Sequence, residues 1–315
     1  MIRIVDESNP EAKRSPEDLL AMHIAGHALA VFEGKTGDGL RVKAHDLGNG
    51  HTEVTASAPT VWVEQDWSPL ALEMYLECVI KNREENADEL REKSLTIAAN
   101  RAKSKVRKLC KAMGADTMLT LTYRANFRDL AQSKKHLKEF VRRVRRVMPS
   151  FRAVAVYEHQ ERGALHWHIA TAGVPAAFMQ ANAVGVQSKV KSFDVLRAIW
   201  RSVAKDLGGN VDVARRKASS RKSPAQIAAY IAKYIVKAFR SGEAFSNRYT
   251  AFGDFNIPQP VDLGLFPTAS AALAACYDVL LDVQRVVLAK MSRWQDWFVL
   301  YAETPKKRPS GLVVG

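Results

Sequence analysis

Cysteine is scarce in this chain. Cys78, Cys110 and Cys276 are the only three in 315 residues, too few and too scattered for a zinc motif or a disulfide framework, so reduced, buried thiols are expected. No run of about 18 or more uncharged apolar residues occurs, which argues against a helical membrane span. The N-terminus, Met1-Ile-Arg-Ile-Val-Asp-Glu7, carries acids early and lacks a hydrophobic signal region. The expectation is a cytoplasmic protein with no membrane attachment. Internal repeats and low-complexity blocks are absent too, and 47% hydrophobic with 25% charged residues is the composition of a folded globular chain.

Acidic residues are missing from one part of the chain in particular. Residues 1–100 hold 10 Lys/Arg against 18 Asp/Glu, and residues 241–315 balance at 7 and 7. Residues 101–240 hold 30 Lys/Arg against only 8 Asp/Glu, more than the whole surplus of +14. A cationic stretch of that size beside an acidic one suits a polyanionic partner, and nucleic acid is the expected one. A membrane surface fits less well, because no strongly apolar amphipathic anchor accompanies the charge.

The periodicities divide the chain further. Residues 16–32 suggest a helix, followed by a Gly-rich, weakly periodic stretch from Gly34 to Gly50. Residues 69–113 read as one long helix or a helical pair ending near Gly114. Asp116 to Tyr123 alternates as a strand. Residues 129–148 form an amphipathic helix, with Leu130, Leu137, Phe140, Val144, Val147 and Met148 on its apolar face. Phe151–Glu158 and Leu165–Thr171 read as a hairpin. A helix over 193–207 and a short strand over 210–213 follow. A basic loop then opens a helix at Ser223-Pro224, with serine as N-cap and proline in the first turn. Residues 271–301 look helical and apolar, and a short basic segment (Lys306, Lys307, Arg308) ends the pattern.

Two constellations carry chemistry. In Leu165-His-Trp-His-Ile169 the imidazoles of His166 and His168 stand two apart on a strand and so face one side. A third ligand is expected across the hairpin, where Glu158 ends the preceding strand and Gln160 lies close. Two His and one Glu with open positions suit a divalent cation that must still reach a phosphate oxygen. The second constellation is Ala229-Tyr-Ile-Ala-Lys-Tyr-Ile-Val-Lys237. Tyr230 and Tyr234 are four apart on one helical face with Lys233 beside them, while Ile227, Ile231 and Ile235 form the adjacent stripe. A phenol, with an ordinary pKa of about 10, becomes a nucleophile only with help from a metal-polarised phosphate or a nearby ammonium.

Taken in order, Leu119-Thr-Leu-Thr-Tyr-Arg124, then Glu158-x-Gln-x-Arg-Gly-x-x-His-x-His168, then Tyr230-x-x-Lys-Tyr234 resembles the three-motif pattern of the HUH endonuclease superfamily. Within it, the chain looks like the two-tyrosine rolling-circle replication initiators (Rep proteins) of small single-stranded DNA phages and plasmids. The resemblance spans about residues 114–240. It implies an α+β fold with a central antiparallel sheet flanked by helices, the tyrosine helix lying across the His-x-His strand. It implies Mg²⁺ or Mn²⁺ on His166, His168 and Glu158, with Glu161 as a substitute third ligand. Tyr230 would cleave single-stranded DNA at a replication origin, keep the 5′ phosphate and free a 3′ hydroxyl primer, Lys233 would position the phosphate, and Tyr234 would alternate with Tyr230. A relaxase or transposase of the same superfamily, or a DNA-binding protein without catalysis, would share much of this pattern.

The expected layout is an acidic, partly helical region over 1–113, the endonuclease domain over 114–245 and a helical region over 246–315. Expected DNA contacts are Arg124, Arg215, Arg216, Arg221 and Lys222, together with Lys138, Arg142, Arg145 and Arg146 of the run placed beside the proposed site. His23-Ile-Ala-Gly-His27 lacks the glutamate of a zinc-protease helix. Gly34-Lys35-Thr36 lacks the opening glycine of a phosphate-binding loop, so strand separation is assigned to a host helicase and synthesis to a host polymerase. Trp67, Trp200, Trp294 and Trp297 are read as packing residues.

Overall fold

The computed structural model describes residues 1–181, 184–185, 187–215, 224–241, 248–280 and 285–304. Its elements begin with β1 (Ile2–Asp6), α1 (Pro16–Ile24), β2 (Leu29–Thr36), β3 (Leu40–Asp46), β4 (His51–Ser57) and β5 (Thr60–Gln65). Then come α2 (Pro69–Glu85), α3 (Ala87–Ala112), β6 (Thr117–Thr122), α4 (Leu130–Val147), β7 (Arg152–His159) and β8 (Leu165–Ala172). The middle continues with β9 (Ala177–Ala181), β10 (Gln187–Lys191), α5 (Ser192–Ala204), β11 (Asn210–Arg215), α6 (Pro224–Ser241) and β12 (Tyr249–Phe252). The chain closes with β13 (Val261–Phe266), α7 (Ala269–Leu280), β14 (Arg285–Met291) and β15 (Trp297–Glu303). The fold is α+β, and no helix among the described residues is long and apolar enough to cross a membrane.

These elements form two compact units. One comprises Met1–Asp46, Thr52–Ser94 and Pro260–Gly315. It holds a three-stranded sheet, β1-β2-β5, and a five-stranded antiparallel sheet in the order β13-β3-β4-β15-β14. Val42, Val54, Leu300 and Phe298 of the larger sheet pack on Ala272 and Cys276 of α7.

The other unit comprises Leu47–His51 and Leu95–Gln259 and is built on a five-stranded antiparallel sheet, order β11-β6-β8-β7-β12. Strand alternation sorts its side chains onto two faces. Leu119, Leu121, Ala155, Tyr157, Trp167, Ile169 and Val211 meet Leu137, Phe140 and Val144 of α4 and Leu196 and Trp200 of α5. Met118, Val154, Val156, Ala170 and Ala172 meet Ala228, Ile231 and Ile235 of α6 and Val106, Cys110 and Met113 of α3. α4 starts cleanly because the Asp129 carboxylate accepts from the Gln132 amide at 2.9 Å. α3 ends where the Asn49 side-chain amide donates to the Lys111 and Ala112 carbonyls at 3.0 and 2.9 Å, satisfying two terminal acceptors.

Several sequence expectations differ from the structure. The helix expected over 16–32 stops at Ile24, and the stretch after it folds into β2, β3 and β4 rather than an irregular region. Residues 271–301 are helical only to Leu280, because Val286-Val-Leu288 and Phe298-Val-Leu-Tyr301 are β-branched and aromatic and pair antiparallel as β14 and β15. On α4, Val147 lies 45% exposed while Val141 is buried, a shift of the stripe toward the helix middle. Trp200 is fully buried, but Trp294 is 80% exposed on the turn between β14 and β15, so it is not a packing residue. The Ser223 N-cap lies outside the described residues, as does the basic segment at 306–308.

Gly173, just after β8, has φ +79°, and a β-carbon there would lie 2.3 Å from the Ser150 carbonyl oxygen. Gly173→Ala must therefore shift backbone rather than a flexible side chain. We expect it to destabilise the protein by roughly 1–3 kcal/mol, measured as a lowered urea midpoint. An unchanged midpoint would mean the turn relaxes freely.

Candidate active site

The face of the sheet under α6 carries the polar side chains that the apolar rule would exclude. Cross-strand register puts Glu158 of β7 directly opposite His166 of β8, and Thr122 of β6 on its other side. One row further, Val156, His168 and Thr120 are aligned, and Asp212 of β11 pairs with Thr120. The even-numbered residues of β8 thus turn His166, His168, Ala170 and Ala172 to one face, while Leu165, Trp167 and Ile169 go to the other. The hairpin is held by Gln160 N–H on the Ala164 carbonyl (2.9 Å) and Gly163 N–H on the Gln160 carbonyl (2.7 Å), with Gly163 at φ +85°.

α6 lays its apolar stripe across β7 and β8. Ala228, Ile231 and Ile235 are fully buried and Tyr234 sits beside them, while Lys233 is exposed and Tyr230 is 47% exposed. The alanines at 170 and 172 leave room for the helix to approach closely. Tyr234 then stacks on His168, ring centroids 3.6 Å apart and planes 14° from parallel. Its hydroxyl donates to the Tyr230 hydroxyl at 2.8 Å. On the other side, His168 Nε2 lies 3.1 Å from Glu158 Oε2 and Nδ1 lies 3.5 Å from Thr120 Oγ1. The geometry is that of an Nε2–H donor to the carboxylate, with Nδ1 left to accept.

Titration differs between the members. Burial, followed by repulsion from His168 and Arg162, holds the His166 imidazole down to about 4, against the pull of Glu158 and Asp212. The Tyr234 phenol is pushed up, first by burial and then by its bond to Tyr230. The phenol that ionises less readily is therefore the inner one of the pair.

The side chains present fit a divalent cation in two respects. His166 Nε2 is buried and has no hydrogen-bond partner, an orphan that a ligand would satisfy. The 3.1 Å separation of Glu158 Oε2 and His168 Nε2 is close to the edge of an octahedron with bonds of about 2.1 Å, roughly 3 Å. Among the described residues, no three His, Cys, Asp or Glu side chains already converge as a metal cage, and the rings of His166 and His168 stand 6.5 Å apart. Completing the site needs a side-chain rotation at His166, whose backbone already faces the right way.

The structure thus gathers His168, Glu158, Tyr230 and Tyr234, with His166 adjacent on the same face and Lys233 on the exposed side of α6. Glu161 lies in the exposed turn beyond the strand. Arg124 is exposed just after β6, at the end of the sheet that carries His166. Arg215 ends β11, and Arg216, Arg221 and Lys222 lie outside the described residues. Lys138, Arg142, Arg145 and Arg146 do not flank this site: α4 packs on the opposite face of the sheet.

Two contributors escaped the sequence reading. Asp212 shares the row of His168 and acts electrostatically on His166, and the alternation Asn210-Val-Asp-Val213 could have placed it there. Arg162 donates to the Tyr123 carbonyl at 3.1 Å and to Gln160 Oε1 at 2.9 Å, tying the hairpin turn to the end of β6.

An α+β domain with an antiparallel sheet, paired imidazoles and a tyrosine helix across them is the class that this geometry defines. Residues 116–239, from the start of β6 into α6, match the family model described as Replication-associated protein ORF2. The match supports a replication initiator of Rep type. No curated protein and no solved structure matches the chain.

An imidazole that is neutral in the fold but protonated in the unfolded chain contributes stability that is complete above its unfolded pKa. That contribution disappears as pH falls toward the folded value. For His166 the window runs from the ordinary 6.5 down to about 4. In chelator-treated protein, the urea midpoint of the wild type should fall more steeply between these pH values than that of His166→Gln; parallel slopes would show that His166 titrates normally.

Proposed function

We propose that this protein is a rolling-circle replication initiator of the two-tyrosine HUH endonuclease type, nicking and rejoining single-stranded DNA at an origin. The observation that carries the reading is the Tyr234–Tyr230 pair, hydrogen-bonded at 2.8 Å and stacked on His168 beside Glu158. Two phenols one helical turn apart over a polar sheet face are not needed for packing. Ile231 and Ile235 already fill that role.

In this mechanism the Tyr230 oxygen attacks the scissile phosphorus, the P–O3′ bond breaks, and the 3′ oxygen leaves to become a hydroxyl primer. The DNA 5′ end stays on the enzyme as a phosphotyrosine. Tyr230 acts first because it is the more exposed phenol and accepts a hydrogen bond from Tyr234, which favours phenolate character. Tyr234, whose own ionisation is disfavoured, serves a second cleavage, after which the free 3′ hydroxyl attacks the first phosphotyrosine and closes a circle. Lys233 and Arg124 hold phosphate oxygens on the exposed side. His166, His168 and Glu158 would hold Mg²⁺ or Mn²⁺, which when bound supplies positive charge to a non-bridging phosphate oxygen. Strand separation and synthesis are assigned to a host helicase and polymerase in a bacterial cytoplasm.

Incubation with circular single-stranded DNA and Mn²⁺ should give a denaturant-resistant protein–DNA adduct that a chelator abolishes. The adduct should vanish in Tyr230→Phe/Tyr234→Phe, and Tyr230→Phe should slow the first cleavage more than Tyr234→Phe. Glu158→Gln should raise the metal concentration needed by on the order of 10- to 100-fold. Undiminished nicking by the double variant would sink the mechanism. Tight, salt-sensitive binding without an adduct would make the protein a non-catalytic DNA binder.

A further inference from the structure

The charge on α4 has no role in the site described above. This helix carries seven Lys and Arg and one acid, Glu139. Glu139 is held by Arg142 through two bonds of 2.6 Å and by Arg143 through a third of 2.6 Å, and these guanidiniums pull its carboxyl down to about 2. One acid shared by two arginines leaves the helix strongly cationic. Arg145 meets Asp254 at 3.6 Å, but that carboxylate is fully exposed, so solvent screens the contact heavily.

Four of these cations surround a cleft. Lys138, Arg142, Arg145 and Arg146 line it together with Val141 and Phe252, and it encloses about 400 Å³. That volume lies in the range of about 300–1,000 Å³ typical of small-ligand sites. The cations are exposed, Val141 is buried and Phe252 is half-buried. The composition is therefore an aromatic and aliphatic floor with a rim of ammonium and guanidinium groups. Phosphodiester backbones are neutralised by such rims, and unpaired bases stack on such floors.

Its placement separates it from the tyrosines. Phe252 comes from β12, the edge strand, and belongs to the face on which α4 packs. Tyr249 on the same strand belongs to the face covered by α6. A phosphate at Tyr230 and a nucleotide in the α4 cleft would therefore lie on opposite faces of the sheet, at two different points of a strand.

We propose that the α4 cleft is a second single-stranded DNA contact, holding one base against Phe252 and Val141 and the flanking phosphates on Lys138, Arg142, Arg145 and Arg146. The proposal rests on the reading that single-stranded DNA is the substrate. It gives the protein a grip on a stretch of strand remote from the nick.

Binding to a labelled single strand of about 30 nucleotides, followed against salt, tests it in full-length Tyr230→Phe/Tyr234→Phe protein, so that no cleavage intervenes. Lys138→Gln/Arg145→Gln/Arg146→Gln should weaken binding and reduce the slope of log K on log salt by about 2, as expected for three lost single-strand phosphate contacts at ~0.7 each. Phe252→Leu, which keeps an apolar side chain at the core edge, should weaken single-strand binding by about 5- to 150-fold with the salt slope and thermal midpoint retained. Duplex DNA of the same length should be insensitive to Phe252→Leu. An unchanged slope and affinity in the triple variant would overturn the proposal. So would a loss at Phe252→Leu that is equal on single and double strands, which would make the patch a duplex-binding surface. An absence of tyrosine adducts in the unmutated protein would count against the nickase reading and leave this binding result standing.

Discussion

Everything at the His–Tyr centre depends on the two-residue alternation of β8 held against its neighbours. Leu165, Trp167 and Ile169 enter one core, and His166, His168, Ala170 and Ala172 enter the other. A slip of one residue would send the indole of Trp167 toward α6 and both imidazoles into the apolar face. The register is defended by large side chains on the far side: Trp167 is buried and its indole N–H donates to Ser133 at 2.8 Å. The Ser133 hydroxyl also lies 3.1 Å from the Tyr123 hydroxyl, which meets His136 Nδ1 at 3.0 Å. A buried polar network of this kind is satisfied in one arrangement only, so it fixes which residues face the tyrosine helix.

The same alternation explains why the polar face tolerates burial. His168 is 8% exposed, yet Glu158, Thr120 and the Tyr234 ring surround it. His166, one row nearer the sheet end, has no such set and remains neutral over a wider pH range. One imidazole is satisfied and the other is waiting for a partner, within a single strand.

Much of the sheet and its site was legible in the sequence because β6, β7, β8, α4 and α6 obey single periodicities over their whole length. The His-x-His pair, the opposing Glu158 and the four-residue tyrosine spacing followed from those periods directly. What stayed hidden depended on contacts between segments distant in the chain. β3 reads Leu-Arg-Val-Lys-Ala-His-Asp, an alternation that charge and nearby glycines obscure, and its partner β13 comes more than two hundred residues later. The segment from 285 to 303 is apolar enough for a helix, and only the pairing of β14 with β15 and of β15 with β4 decides for strands. The side of the sheet on which α4 lies was likewise not a property of α4. Its stripe says that it packs, and the odd-numbered residues of β6, β7 and β8 say where.

The division of the chain between its two units has a consequence for synthesis. The sheet bearing the tyrosine helix has all of its strands by Phe252, and its unit ends at Gln259. The larger sheet of the other unit begins with β3 and β4 but cannot be completed until β13, β14 and β15 emerge, up to Glu303. Closing so long a loop costs only modest extra entropy, since the penalty grows with the logarithm of length. The delay is set instead by the ribosome, which adds about 5–20 residues per second. For several seconds β3 and β4 are a hairpin with both edges open while the inserted unit is already folded. The vulnerable stage of this protein's life is therefore the interval before its last strands arrive, and the part at risk is its earliest-made half.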